Sequence, residues 1–367
     1  MRMVSASNTF MDIQFTLKEF KARLDPKIEA YFERMLVEAK KDDDLVHEAL
    51  GHVKTMTLSG GKRLRPAFMY YGYLAAGGTD RERLLETSIA VELIHVFLLI
   101  HDDIIDRDTL RHGEPTLHER YRAWGKKYLA LDDPTHFGNS IALIVGDMLF
   151  AMGNDIIFNS GFPEKNVFAA LSRMQKIVSH TVVGQARDIY IEYRGEATSE
   201  EVLSMYEKKT ARYTIEGPLH LGALLAGGSP ELATALTSYA LPIGIAFQIQ
   251  DDILGIYGDE ELLGKPVGSD IREGKITLLV AHVFETADRK TKKELGLLLK
   301  RGRELTLSDI ERFRDIIRET GALDAAKSRA LRYIVEGKRA LVEIKDITPE
   351  AREFLEGIAD YMEKRDY

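Results

Sequence analysis

Apolar residues recur at three- and four-residue spacing along most of the chain, with good helix formers between them. No run alternates apolar and polar positions as a strand would. The pattern predicts an all-α fold of roughly ten to fifteen helices with no sheet of consequence. Breaks are expected at Ser59-Gly60-Gly61, Leu131 to Asn139, Gly161-Phe162-Pro163, Gly227-Gly228-Ser229-Pro230 and Gly255 to Gly268. None is long enough for a domain linker. A short tail over 1–12 and one helical domain over 13–367 are therefore expected. Nine prolines, Pro26, Pro66, Pro115, Pro134, Pro163, Pro218, Pro230, Pro266 and Pro349, read as segment edges. The stretch from Trp124 to Asn139 reads as a surface loop.

Two apolar runs stand out because each ends in acid. Leu93 to Ile100 is almost wholly apolar and leads to Asp102-Asp103-Ile104-Ile105-Asp106. Leu232 to Gln250 is uncharged and leads to Asp251-Asp252. The length of the second run raises the question of a membrane span. Pro242, the hydroxyls of Thr234, Thr237 and Ser238, and two glutamines interrupt it, so a buried core helix is the better expectation.

Composition narrows the picture further. The net charge of −8 argues against a nucleic-acid partner, which needs a basic surface. There are no cysteines, which excludes disulfides, thiol chemistry and thiolate metal sites. Only five Asn and five Gln occur among many charges, a lean toward a heat-adapted source. Met1 to Phe10 lacks the apolar core of a secretion signal, so a cytoplasmic location is expected.

On an ideal helix, Asp102, Asp103 and Asp106 fall at about 0°, 100° and 40°. His95, Leu98 and Ile94 lie behind them at about 20°, −40° and −80°. Three carboxylates closing a buried helix repel one another unless a cation meets them. Hard oxygen donors favour Mg²⁺, which keeps waters and bridges to phosphates. The alternative is a solvated acidic helix end. The second cluster repeats the layout, with Gln248 three residues before Asp251. Lys265, Asp270 and Lys275 follow, in what alone would pass for a charged surface loop. Gly60-Gly61-Lys62-Arg63-Leu64-Arg65-Pro66 crowds three cations into four positions beside flexible glycines and reads as an anion cradle. It is not a nucleotide P-loop, which has a different spacing. Lys208-Lys209-Thr210, with Tyr206 and Arg212, would alone pass for a solvated helix face.

Taken in order, these motifs resemble the trans-isoprenyl diphosphate synthases, the all-α prenyltransferases, and in particular archaeal-type geranylgeranyl and farnesyl diphosphate synthases. The resemblance runs from about Gly60 to Lys275 and includes Glu92-Leu93-Ile94-His95, Arg111-His112-Gly113, Gly146-Asp147, Gly184-Gln185-Ala186-Arg187-Asp188 and Gly244 to Asp252. It implies helices around a central cavity and Mg²⁺-dependent head-to-tail condensation of isopentenyl diphosphate with dimethylallyl, geranyl or farnesyl diphosphate. By resemblance, three Mg²⁺ ions are held by Asp102, Asp106 and Asp251, with Asp103 and Asp252 completing the two clusters. Lys209, Lys265, Lys275 and Arg111 would grip the allylic diphosphate, and Lys62, Arg65, His95 and His112 would bind isopentenyl diphosphate. Thr210 and Gln248 would lie near the forming cation. Ile94, Phe97 and Leu98 would set the product length, with twenty carbons expected and fifteen as the alternative or co-product. A homodimer without a membrane span is the implied assembly.

Two positions depart from the family pattern: His112 stands where a second arginine is usual, and Gly255 where the second cluster usually has its last acid. A terpene cyclase or head-to-head synthase would not need the Lys62–Arg65 cradle. A non-catalytic partner subunit would be expected to lose acidic clusters or basic grips.

Overall fold

The computed structural model describes residues 12–111, 113–258 and 268–364. His112 and Lys265 lie outside the described residues, as does most of the expected break over 255–268. Among the described residues the chain is helical almost throughout; the exception to helices and turns is a two-stranded hairpin pairing Leu110–Arg111 with Glu114–Pro115.

The first helix, α1 (Ile13–Asp42), starts where Asp12 caps the backbone N–H groups of Gln14 and Phe15. Pro26 lies inside α1 and not at a segment edge. Its missing N–H costs the helix one hydrogen bond. The buried stripe Phe20, Leu24, Ile28, Tyr31 and Phe32 carries packing straight through that point. Next come α2 (Asp44–Leu58), α3 (Leu64–Ala75), α4 (Arg81–Thr87) and α5 (Ile89–Ile105). After the hairpin, α6 (Leu117–Tyr128) is followed by α7 (Pro134–Phe158). The loop expected over Trp124 to Asn139 is thus confined to 129–133. Pro134 occupies the first turn of α7, and Asp133 caps it by accepting from His136 N, a helix start rather than a loop. The rings of Trp124 and Phe137 stack across the short turn.

The second half holds α8 (Glu164–Arg194), α9 (Ser199–Tyr206), a π-helical segment (Glu207–Glu216), α10 (Gly217–Leu225) and α11 (Pro230–Tyr257). Then follow α12 (Ser269–Glu273), α13 (Leu278–Thr286), α14 (Arg289–Arg301), α15 (Leu307–Glu319), α16 (Ala322–Glu343) and α17 (Pro349–Glu363). Helix α11 runs through the core against α16 and the π segment, and α5 packs on α7. Leu236, Tyr239, Ile243, Ala246 and Ile249 of α11 are buried, as expected of a core helix.

Three segments, Arg81–Ile105, Pro134–Phe158 and Pro230–Tyr257, are long and apolar enough to cross a membrane by length and composition. The first is mostly buried inside the fold, but α7 is only one-third buried. Helix α7 leaves Leu143, Ile144 and Phe158 exposed, and its neighbour α8 does the same with Phe168, Val183 and Tyr190.

Candidate functional site

A cavity of about 440 Å³ opens between α3, α5, α8, the π segment and α11. Asp102 from α5 and Asp251 from α11 both line it, so two clusters about 150 residues apart in sequence converge on one space. Lys209, Thr210, Gln248, Arg65 and His95 join them, while Phe97, Leu98, Ile105 and Ile189 supply apolar wall.

The carboxylates are not equivalent. Burial pushes the Asp102 carboxyl above its ordinary range; Lys209 opposes this and Asp106 adds to it. Asp106 pairs with Lys275 at 3.3 Å. Asp103 is 1% exposed, and its Oδ1 accepts from Nε of Arg111 at 2.7 Å and from Nη2. Arg111 therefore holds Asp103, where a grip on diphosphate was expected of it. Asp252 is likewise turned inward, accepting from Tyr206 OH and, at 2.8 Å, from Gln248 Nε2. Burial pushes the Asp252 carboxyl up to about 8, against the pull of those two hydrogen bonds. The five-carboxylate metal set expected from the sequence is thus divided: Asp102 and Asp251 line the cavity, and Asp103 and Asp252 are bound by protein groups.

Gly255 leaves no empty corner. A Cβ there would collide with Oδ2 of Asp270, so a carboxylate from α12 fills the space beside the second cluster. Lys275 pairs with Glu273 at 2.6 Å as well as with Asp106. Burial alone would lower the Lys275 ammonium, but Asp270, Asp106 and Glu273 raise it well above its ordinary value. Lys209 behaves alike: burial lowers it, Asp188 and Asp102 raise it, and the net shift is upward. Its Nζ meets Asp188 Oδ2 at 2.6 Å. Both lysines are firmly cationic.

The π segment aims Lys209 and Thr210. It is pinched on both sides, because a Cβ at Gly184 would strike Lys209 N and one at Gly244 would strike Ala211 Cα. Arg212 ties Glu207 to Glu216 across the segment. Glu216 also pairs with Arg173 of α8 at 2.8 Å and accepts from Thr237 of α11 at 3.0 Å.

The glycine-rich cradle splits. Arg65 lies 4.5 Å over the Tyr213 ring and donates to Thr214 Oγ1 at 3.0 Å. The His95 ring lies 6.1 Å from that of Tyr213. Lys62 stands outside the lining, donating to Tyr361 OH of α17 at 2.9 Å. Arg63 is no part of an anion cradle: it is 3% exposed and bound by Asp25, Glu92 and the Thr57 carbonyl. Its backbone is left-handed, at φ 56°, at the point where α3 begins.

Of the expected length-setting residues, Phe97 and Leu98 line the cavity. Phe97 packs between the rings of His101 at 4.8 Å and Phe150 at 5.5 Å. Ile94 does not line it; its side chain lies against Gly153 of α7. Tyr206, Tyr213, Thr214 and Glu216 were not singled out by sequence reasoning as site-forming, and Asp188 was quoted without a role. Buried side-chain networks leave no periodic signal to find them by.

Among the described residues, no three Asp, Glu or His side chains converge closely enough to cage a metal unaided. The donors facing the cavity are carboxylate oxygens, which suits an ion that completes its shell with water and phosphate. The raised Asp102 carboxyl is a site where a cation would relieve the cost of burial.

A family model described as polyprenyl synthetase matches residues 47–317. The chain is 38% identical over 309 residues to a geranylgeranyl diphosphate synthase from Methanosarcina mazei, covering 84% of this chain and 87% of that one. It is 34% identical over 311 residues to a geranylfarnesyl diphosphate synthase from Aeropyrum pernix, covering 84% and 91%. A crystal structure of geranylgeranyl pyrophosphate synthase from Corynebacterium glutamicum, complexed with isoprenyl diphosphate and magnesium, superposes with a TM-score of 0.89 at 34% identity, covering 95% of this chain and 99% of that one.

Proposed function

Because the chain belongs to the polyprenyl synthetase family, we propose that it is a prenyltransferase condensing isopentenyl diphosphate head-to-tail with allylic diphosphates, with geranylgeranyl diphosphate as main product. The observation that carries this reading is the convergence of Asp102 and Asp251 on one cavity whose remaining wall is cationic at one part and apolar at another.

The allylic C–O bond breaks and diphosphate leaves. The isopentenyl double bond attacks the resulting cation at C1. A proton is then lost to the departed diphosphate. Lys209 and Lys275, both held protonated by neighbouring carboxylates, supply positive charge for the diphosphate. Asp102, Asp106 and Asp251 would hold Mg²⁺, three ions in our reading, and these ions would neutralise charge on the leaving group. Arg65 and His95, flanking Tyr213, would take isopentenyl diphosphate, with Lys62 moving in from Tyr361. His112 and Lys265 are proposed for the two diphosphates from the sequence motifs alone. Thr210 Oγ1 and the Gln248 amide oxygen, 2.6 Å apart at the wall, would face the cation. Phe97 and Leu98 would limit the tail. The exposed apolar faces of α7 and α8 exceed what scattered surface residues explain and support a homodimer.

The test is incubation with labelled isopentenyl diphosphate, Mg²⁺ and each allylic primer, with Asp102→Ala alongside. A twenty-carbon alcohol after dephosphorylation, absent in the variant, is expected. The geranylfarnesyl synthase among the relatives makes a twenty-five-carbon product the outcome that would move the tail limit outward.

A further inference from the structure

Gln248 sits in a hydrogen-bonded chain that decides which end of its amide faces the cavity. An amide group is nearly symmetric in shape, so packing alone does not choose between its carbonyl and its NH₂. Partners choose. Thr210 is indifferent, since a hydroxyl both donates and accepts. Asp252 presents both oxygens as acceptors here, one to Tyr206 OH and the other, Oδ1, to the NH₂ end of Gln248 at 2.8 Å. The carbonyl oxygen is thereby turned to Thr210, whose hydroxyl donates to it at 2.6 Å. The Thr210 proton is used in that bond, which leaves the lone pairs of Thr210 Oγ1 available to the cavity.

Asp252 is itself fixed. It is 4% exposed, and its other oxygen accepts from Tyr206 OH. That hydroxyl is oriented in turn by accepting from Leu278 N at 2.9 Å, at the start of α13. A backbone N–H of α13 therefore orders Tyr206, Tyr206 orders Asp252, Asp252 orders Gln248, and Gln248 orders Thr210.

We infer that Asp252 and Tyr206 are positioning residues which hold the Gln248 and Thr210 oxygens toward the reacting carbon, and that Asp252 is not a metal ligand. The inference rests on the prenyl-transfer reading. A carbonyl oxygen stabilises positive charge growing at the allylic carbon, whereas an NH₂ group in its place repels it.

Asp252→Asn tests this, because the new side chain offers an NH₂ to Gln248 and lets its amide turn over. The comparison set is wild type, Asp252→Asn, Tyr206→Phe, Gln248→Met, the Asp252→Asn/Gln248→Met pair and Asp251→Asn as a metal-ligand control. Expected for Asp252→Asn is a fall in kcat of roughly ten- to a hundredfold, the usual range for groups that orient a site. The Mg²⁺ half-saturation and the calorimetric Kd of a non-ionisable allylic diphosphate analogue should stay within about twofold of wild type, while Asp251→Asn shifts both. Tyr206→Phe should show the same split to a lesser degree, and it keeps the Asp252 carboxyl in place if Asp252→Asn folds poorly. The double variant should be no slower than Gln248→Met alone. A shift of Mg²⁺ half-saturation or analogue affinity in Asp252→Asn equal to that in Asp251→Asn, or additive losses in the double variant, would overturn the inference with the wild-type activity intact. Wild type inactive with every primer would instead overturn the prenyl-transfer reading, and this inference with it.

Discussion

The two carboxylate clusters carry the same Asp-Asp pair, in the last turn of α5 and more than a turn before the end of α11, and in each the first acid lines the cavity while the second turns into the protein. They differ in what meets the second acid. Asp103 meets a cation, Arg111; Asp252 meets the neutral donors Tyr206 and Gln248. They differ also in the third position, filled from within α5's own C-terminus by Asp106 and, beside Gly255, from another helix by Asp270. An Asp-Asp pair is thus one cavity-facing group plus one anchor, and the partner of the anchor sets its work: charge neutralisation in one case, orientation of an amide in the other.

The largest expected effect tests the cavity-facing members. Asp102→Ala and Asp251→Ala should each lower kcat about 10²–10³-fold, the loss typical of removing one electrostatic stabiliser, with raised Mg²⁺ requirement. An equal kinetic loss in Asp103→Ala, at unchanged stability, would break the distinction. The anchors should instead differ in stability. Asp103→Ala leaves the buried Arg111 with Asp108, at 3.7 Å, in place of its close ion pair and should cost up to about 3–5 kcal/mol in urea unfolding. Asp252→Ala leaves a hydroxyl and an amide short of a partner and should cost about 1–3 kcal/mol. The reverse order would sink the contrast between a charged and a neutral anchor.

A smaller effect sharpens the comparison upstream on α5. Phe97→Ala or Leu98→Ala should lengthen the product by one or more isoprene units on chromatography, whereas Ile94→Ala, facing Gly153, should leave the length unchanged. Unchanged products for both cavity-facing variants would remove α5 as the tail limit.

The smallest effect lies away from both clusters. His220 is buried beside Thr237 and Glu216, and burial, with help from Arg173, lowers it from 6.5 to about 4. The folded state therefore binds fewer protons than the unfolded state between those values. Stability from this site is present above pH 6.5 and is lost as pH falls toward 4. Thermal melts of His220→Gln should lose less stability than wild type over that interval; parallel curves would show that another group carries the acid sensitivity.

The helical class and the buried α11 were legible in the sequence, because three-to-four periodicity reports burial directly, but α11 runs on past Asp251-Asp252 to Tyr257 instead of ending on them. The inward turn of Asp103 was half legible too, since it lies about 100° around the helix from Asp102. Arg63 was misread because its partners Asp25 and Glu92 lie 38 and 29 residues away, outside any local pattern. The loop before α7 was overextended because Asp133-Pro134 is a helix start that looks like a turn. The link between Tyr206 and Leu278 was invisible, since a hydrogen bond between residues 72 apart has no local signature.

The π segment between Tyr206 and Gly217 has a consequence for how such a chain can change over generations. Each residue adds about 100° of rotation in an α-helix, and a π turn carries a surplus residue relative to it. Point substitutions on its outer face leave the register alone. Loss of a single codon there would wind the segment into an ordinary α-helix and swing Lys209 and Thr210 off the cavity relative to everything downstream. The number of residues in this stretch, as much as their identity, is therefore an inherited requirement, and lineages that diverge freely in surface loops should keep its length fixed.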